Sequence, residues 1–342
     1  MSPRLFAFAT AASVLLLTLP AMAQTQSTLE KTKQRGYVSC GTSEGVPGFS
    51  LPDDKGNWVG FDIDWCRAVA AAIFNDPNAA RYKSLSARDR LIALQGGEID
   101  MLARTTTWTS SRDTAFGFNF TAINYHDGQG FLVRKSAGLK SAKELNGASI
   151  CVQQGTTGEL NLADYFVKNG IKNQVVAFAS TVEASRAFES GRCDAWTTDI
   201  SALSANRLKF GKPDEYVVLP DIISKEPLGA WVRQGDDQWF DIVRWTLFAM
   251  VNAEELGVTQ GNVEDMARSS TNPEIKRLLG GDGKFGEQFG LTNDWVVRIV
   301  KAVGNYGESF DRHLGPKTRL GLDRGLNKLW SEGGAMYAPP IR

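Results

Sequence analysis

The chain has 342 residues, with 38 basic against 38 acidic side chains and only two histidines, His126 and His313. Balanced charge argues against nucleic acid or anionic lipid as the main partner, and two histidines leave too few for most zinc or His-triad chemistry. The length exceeds one comfortable hydrophobic core, so two lobes are expected.

Arg4 followed by the uncharged apolar run Leu5 to Leu19 and by Ala21-Met22-Ala23 reads as a secretory signal, residues 1–23, with cleavage before Gln24. No second run of about 18 apolar residues follows, so the mature chain is expected to be soluble and exported to the periplasm. Four cysteines in an exported chain point to disulfides, with buried unpaired thiols as the alternative, and three pairings are possible. Cys40 with Cys66 and Cys151 with Cys193 is favoured, because each bridge then stays inside one predicted lobe.

Gly36–Thr42 reads as a strand and Asp62–Phe74 as a helix with the stripe Trp65, Val69, Ala72 and Ile73, ended by Asp76-Pro77. Ser86–Leu94 predicts a helix and Ile99–Ala103 a strand. The alternation restarts with Ala148–Gln153, Glu159–Asn169, Gln174–Phe178, Thr181–Ser190 and Asp194–Thr198, strand and helix in turn. Alternation of this kind predicts parallel sheets with crossover helices. No low-complexity linker separates the two units, so strands that cross between lobes are expected to form a short hinge. Beyond about residue 236 the chain reads as helical, with helices over Trp239–Leu256, Asn262–Arg268, Pro273–Leu279 and Asn293–Asn305. Gly280-Gly281-Asp282-Gly283 precedes Lys284-Phe285 and lacks the Ser or Thr of a phosphate loop.

Three segments carry recognition chemistry. Arg104 to Asp113 sets Thr105, Thr106, Thr107 and Arg112 at a strand end, with Thr109 as N-cap. Arg112 could grip a carboxylate with two prongs; the alternative is a surface ion pair. Gln153 to Glu159 offers a helix start at Thr156, Thr157 and Gly158 whose free N–H groups suit an anion; the alternative is a purely structural cap. Asp194 to Asp199 ends a strand in an acid that could take an ammonium; the alternative is an N-cap.

Together these segments resemble the polar amino-acid-binding family of ABC importers, the type II periplasmic binding proteins. Gly60-Phe61-Asp62-Ile63-Asp64 resembles that family's signature, with Trp65 as a departure. Gly97-Glu98-Ile99-Asp100, Gln154-Gly155-Thr156-Thr157 and Gly191-Arg192-Cys193-Asp194-Ala195 follow in the family's order. Gly45-Val46-Pro47-Gly48-Phe49, Tyr125 to Gly130 and the ending Met336 to Arg342 are similar to the general L-amino-acid-binding branch.

The resemblance implies an α/β fold of two lobes joined by crossover strands, with a helical C-terminal extension on the first lobe. Lobe 1 would comprise 24–126 and 229–342, and lobe 2 would comprise 127–228. It implies no catalytic residue, metal or cofactor, and one disulfide per lobe. Arg112 would hold the ligand's α-carboxylate with Thr107, Thr157 and Gly158. Asp199 would hold the α-ammonium with the Thr105 carbonyl. Val46 and Ala87 would leave a roomy side-chain pocket, with Arg104, Glu44 and Asp127 as further polar contacts. The implied function is binding of free L-amino acids, Glu, Asp, Gln and Asn among them, by a monomer that delivers them to a membrane permease. The rivals are a dehydratase on the same scaffold, with Glu44 or Asp127 as acid, and a sensor for a membrane receptor.

Overall fold

A computed structural model describes residues 26–342; the expected signal segment, 1–23, lies outside them. The strands are β1 (Val38–Thr42), β2 (Leu51–Pro52), β3 (Trp58–Val59), β4 (Ala80–Ser84), β5 (Met101–Thr107), β6 (Phe118–Asp127), β7 (Gln129–Arg134), β8 (Ser149–Gln153), β9 (Gln174–Phe178), β10 (Ala195–Asp199), β11 (Tyr216–Val218) and β12 (Glu226–Arg233). The helices are α1 (Thr28–Arg35), α2 (Phe61–Phe74), α3 (Asp89–Gln95), α4 (Ser110–Ala115), α5 (Thr157–Asn169), α6 (Thr181–Glu189) and α7 (Ile200–Arg207). The C-terminal group is α8 (Asp237–Glu255), α9 (Val263–Ser269), α10 (Pro273–Leu278), α11 (Phe285–Gln288), α12 (Trp295–Val303) and α13 (Tyr306–His313).

Two five-stranded sheets form the two lobes. The first runs β4-β1-β5-β12-β6 and the second β11-β7-β10-β8-β9. Strands paired through helical crossovers are parallel, as in β1 with β4 and β5 or β8 with β9 and β10. The crossover strands join antiparallel: β12 pairs with β5 and β6, and β7 with β10 and β11. The chain leaves the first sheet at Asp127 and enters the second at Gln129. It rejoins the first sheet at Glu226, which pairs with Asp127, ahead of the boundary expected at Gly229.

Local chemistry explains the elements that build the cleft. α2 begins at Gly60 with φ 137°, where a Cβ would stand 2.2 Å from the Phe49 carbonyl oxygen, so only glycine lets the two segments approach. Buried on nearly every side, α2 lies between the first sheet and the C-terminal helices, and Trp65 Nε1 donates to the Val243 carbonyl at 3.1 Å. Ile275, Leu278, Trp295, Ile299, Tyr306 and Phe310 share one apolar core with Val38, Val69 and Leu228, so the extension packs on the first lobe. The buried Asp64 carboxylate ties α13 to α2, accepting from Ser309 Oγ at 2.7 Å and from Arg312. Each lobe holds one disulfide, Cys40–Cys66 between β1 and α2, and Cys151–Cys193 between β8 and the turn before β10.

Two features were not anticipated in the sequence. Asn327, in the C-terminal segment, clasps the backbone of His126: its Oδ1 accepts from the His126 N–H at 2.6 Å and its Nδ2 donates to the His126 carbonyl at 3.2 Å. The threonine run is part of the strand, which passes the end expected at Ala103, because β5 continues to Thr107 and pairs there with Leu228 of β12.

Candidate functional site

The site grows from an irregularity in β5. Thr106 and Thr107 pair with Gly229 and Leu228, but the next residue of β12, Ala230, pairs with Ala103. Arg104 and Thr105 are therefore extra, a bulge that turns both toward the cleft. Thr105 takes φ 37°, unusual for a β-branched residue, and needs a restraint. Asp62 supplies it: Oδ2 accepts from the Thr105 N–H at 3.0 Å while Oδ1 accepts from Asn124 Nδ2 at 2.9 Å. Burial pushes the Asp62 carboxyl up to about 6 against these bonds and against Arg104.

A cavity of about 50 Å³ lies between the lobes. The first lobe contributes Ser43, Glu44, Gly45 and Val46 after β1, Arg90 of α3, and Arg104, Thr105 and Thr107. The second contributes Gln153, Thr156, Thr157, Gly158, Thr181, Val182, Thr198, Asp199 and Ala202. The lobes touch around it. Thr107 Oγ1 lies 3.2 Å from Thr157 Oγ1, Arg88 donates to Gln154 Oε1 at 2.8 Å, and Lys209 Nζ donates to the Gly45 carbonyl at 3.0 Å.

The guanidiniums on the wall, Arg90 and Arg104, and Arg112 just behind it have no carboxylate partner among the described residues. Arg90 is buried and gives one bond, Nη1 to Thr106 Oγ1 at 3.2 Å; its Nε has no partner among the described residues. Burial, with Arg112 and Arg104 nearby, holds its guanidinium well below the usual arginine range. Arg104 Nε donates to the Leu85 carbonyl at 2.8 Å, and burial pushes its pKa down to about 10 despite Glu44. Arg112 Nη1 donates to the Thr107 carbonyl at 2.8 Å, and burial lowers it too, opposed by Glu226 and Asp199. None of the three forms an ion pair among the described residues, so the surface-pair alternative for Arg112 falls.

On the acidic side, Asp199 stands at the N-terminus of α7 without a side-chain capping bond, so the N-cap bond expected of a lone strand-end acid is not made. Burial, then repulsion from Asp127 and Glu226, raises its carboxyl well above the ordinary range, opposed by Arg90 and Arg112. Glu44 is raised by burial and lowered by Arg104. A buried charge without a partner is costly, and such groups in a cleft mark a binding site. Here both signs face one small space, which suits a ligand carrying an anion at one end and a cation at the other.

The helix start at α5 completes the wall. Thr156 Oγ1 accepts from the Glu159 N–H at 3.3 Å, while Glu159 Oε2 takes the Gly155 N–H at 2.9 Å. The N–H groups of Thr157 and Gly158, first in the helix, have no intrahelical acceptor and sit at the cavity.

Residues 38–260 match the model of the bacterial extracellular solute-binding proteins, family 3. The chain belongs to this family. This solute-binding protein is 54% identical to the general L-amino acid-binding periplasmic protein AapJ of Rhizobium johnstonii, over 100% of each chain. It is 50% identical to the glutamate/glutamine/aspartate/asparagine-binding protein BztA of Rhodobacter capsulatus, over 96% of this chain and 98% of that one. A solved structure of an ABC transporter periplasmic binding protein from Brucella ovis, with glutathione bound, superposes with a TM-score of 0.91. It shares 54% identity and covers 93% of this chain and 100% of its own.

The solute-binding protein brings Glu44, Val46, Arg104, Thr105, Thr107, Thr157, Gly158 and Asp199 onto one cavity. Three expected contacts lie elsewhere. Ala87 is buried in the turn before α3 and is not part of the wall. Asp127 is spent inside the hinge, where it accepts from Ser201 Oγ and from the Gly128 N–H at 2.8 Å; burial pushes it up to about 6. Arg112 stands behind Thr107 rather than on the wall. Arg90 and Glu226 were missed. Arg90 falls inside a stretch read as an ordinary helix, and Glu226 inside Ser224-Lys225-Glu226-Pro227, which reads as a polar turn.

Proposed function

We propose that this chain captures free L-amino acids in the interlobe cleft, tolerating many side chains, and hands them to the membrane permease of an ABC importer in the periplasm. One observation carries the reading: the buried guanidiniums of Arg90 and Arg104, with Arg112 behind Thr107, stand against the uncapped Asp199 carboxylate at one small cavity and form no ion pair among the described residues. The ligand's α-carboxylate would meet the N–H groups of Thr157 and Gly158, with Arg112 turning onto it from behind Thr107, and its ammonium would meet Asp199 and the Thr105 carbonyl. Arg90 and Arg104 then remain for the side chain, which favours Glu, Asp, Gln and Asn. The names of the relatives support the same class. Residues 26–126 with about 226–342 would move as one body and 127 to about 225 as the other. Each supplies part of the grip, so the bound ligand favours the closed form.

The test is calorimetry of the mature chain with each of the twenty L-amino acids. Binding of glutamate and of several others, at about micromolar affinity or roughly −8 kcal/mol, is the expected result. No heat and no thermal shift with any of them would overturn the reading.

A second reading has its own observation, the glutathione held by the Brucella ovis relative. The γ-glutamyl end of that peptide presents the same free α-carboxylate and α-ammonium. The closed cavity of about 50 Å³ offers roughly three to five water-sized positions at about 10–15 Å³ each, so such a peptide needs a wider cleft. Glutathione displacing glutamate competitively would support it; indifference to glutathione at millimolar levels would remove it.

A further inference from the structure

Glu226 is a buried carboxylate with no place in the zwitterion site, yet it is fully coordinated. Its Oε2 accepts from the hydroxyls of Thr107 and of Thr157, the latter at 2.9 Å. Its Oε1 accepts from Asn161 Nδ2 at 2.7 Å and Ser224 Oγ at 2.6 Å. Four donors fill the acceptor sites of a carboxylate, so this group has no need of a ligand.

The donors come from different bodies. Thr107 ends β5 in the first lobe, Ser224 precedes β12, and Thr157 and Asn161 lie one turn apart on α5 in the second lobe. Glu226 itself pairs with Asp127 at the place where the chain crosses between sheets. If the second lobe swings away, α5 leaves with it, and the carboxylate exchanges two charge-assisted bonds for water. Closing restores them. The same two threonine hydroxyls cannot also donate to a ligand, since each has a single proton. Their share in ligand capture then falls to the backbone N–H groups at the start of α5, which Glu226 holds at the cavity through Thr157.

We propose that Glu226 is a latch: a hinge-strand carboxylate that grips Thr157 and Asn161 when the cleft closes, holding the α5 N-terminus on the ligand and slowing its release. It is a positioning residue, acting through α5 and not by touching the ligand. The proposal rests on the reading that the ligand binds between the lobes.

The experiment compares wild type, Glu226→Ala, Asn161→Ala and the double variant in glutamate binding, by calorimetry for affinity and stopped-flow fluorescence for rates. Asn161→Ala removes one bond to Glu226 and leaves the hinge strand untouched, so it reads the latch even if Glu226→Ala folds poorly. The expected result is an affinity about tenfold or more weaker for each single variant, carried by faster dissociation with the association rate little changed. The double variant is expected to lose no more than Glu226→Ala alone, because both act through one contact. A residue that merely supports the fold would lower thermal stability without this rate split or this non-additivity. Folded variants that keep wild-type affinity and dissociation rate, or bind more tightly, would overturn the latch and leave the functional reading standing. Failure of the wild type to bind any amino acid would overturn both.

Discussion

Asp199 concentrates the chemistry of the site in one side chain. Its carboxyl is raised by burial and by Asp127 and Glu226, so in the empty cleft it holds a proton to higher pH than an ordinary aspartate. An arriving ammonium favours the charged form. Binding therefore expels protons, and affinity falls as pH drops through the empty-site pKa, because a proton then competes with the ammonium. Calorimetry in buffers of different ionisation heat should show net proton release, and Asp199→Asn should abolish it. Truncating either end of the grip, Arg112→Ala or Asp199→Ala, is expected to cost about 2–5 kcal/mol in glutamate affinity. Micromolar binding retained by Arg112→Ala would refute its assignment.

At the scale of elements, the bulge in β5 does what no single residue could. It inserts Arg104 and Thr105 into the cleft and is pinned by Asp62 from α2. Asp62→Ala leaves the Thr105 N–H without its acceptor and should weaken glutamate binding by about 1–3 kcal/mol, although Asp62 never meets the ligand. The pH dependence of stability has a definite sign here. With a folded pKa of about 6 against 3.8 for the ordinary group, the native state binds the proton more readily. This residue's contribution therefore favours folding more as pH falls from about 6 toward 4, and Asp62→Asn should flatten that part of a melting-temperature profile.

The same element shows how far sequence reaches. Alternating strands and helices, the cap at Thr109 and the acid ending β10 follow from patterns local to a few residues. The bulge does not, because it is defined by which residues of β12 lie opposite, a partner more than a hundred positions away. Arg90 and Glu226 are hidden for a related reason: Arg90 is buried where the lobes meet at the cavity and Glu226 is bonded by the other lobe, neither of which local periodicity encodes. Ala87 and Asp127 were placed on the wall by likeness of position, and the turn before α3 and the hinge bonds carry them away from it.

For the whole molecule, closure should be visible as stabilisation. Glutamate at about a thousand times its Kd is expected to add about 4 kcal/mol, read as a rise in melting temperature together with a smaller radius of gyration. The disulfides act on the unfolded chain instead. Their sequence separations of 26 and 42 residues correspond to about 3.5 and about 4 kcal/mol on a loop-entropy scale. Reduction should lower the melting temperature with and without ligand alike, whereas a loss confined to the liganded protein would mean that the bridges shape the cleft.

The clasp of Asn327 on His126 has a consequence beyond the hinge. β6 is the outermost strand of its sheet, and an outermost strand offers free backbone groups to any extended segment of another molecule. A side-chain amide that takes both polar groups of His126 imitates one rung of a neighbouring strand and ends the ladder there. The chain thus closes this rung of its own sheet's margin with a single asparagine, and Asn327→Ala should show its defect as self-association on storage before any loss of ligand binding.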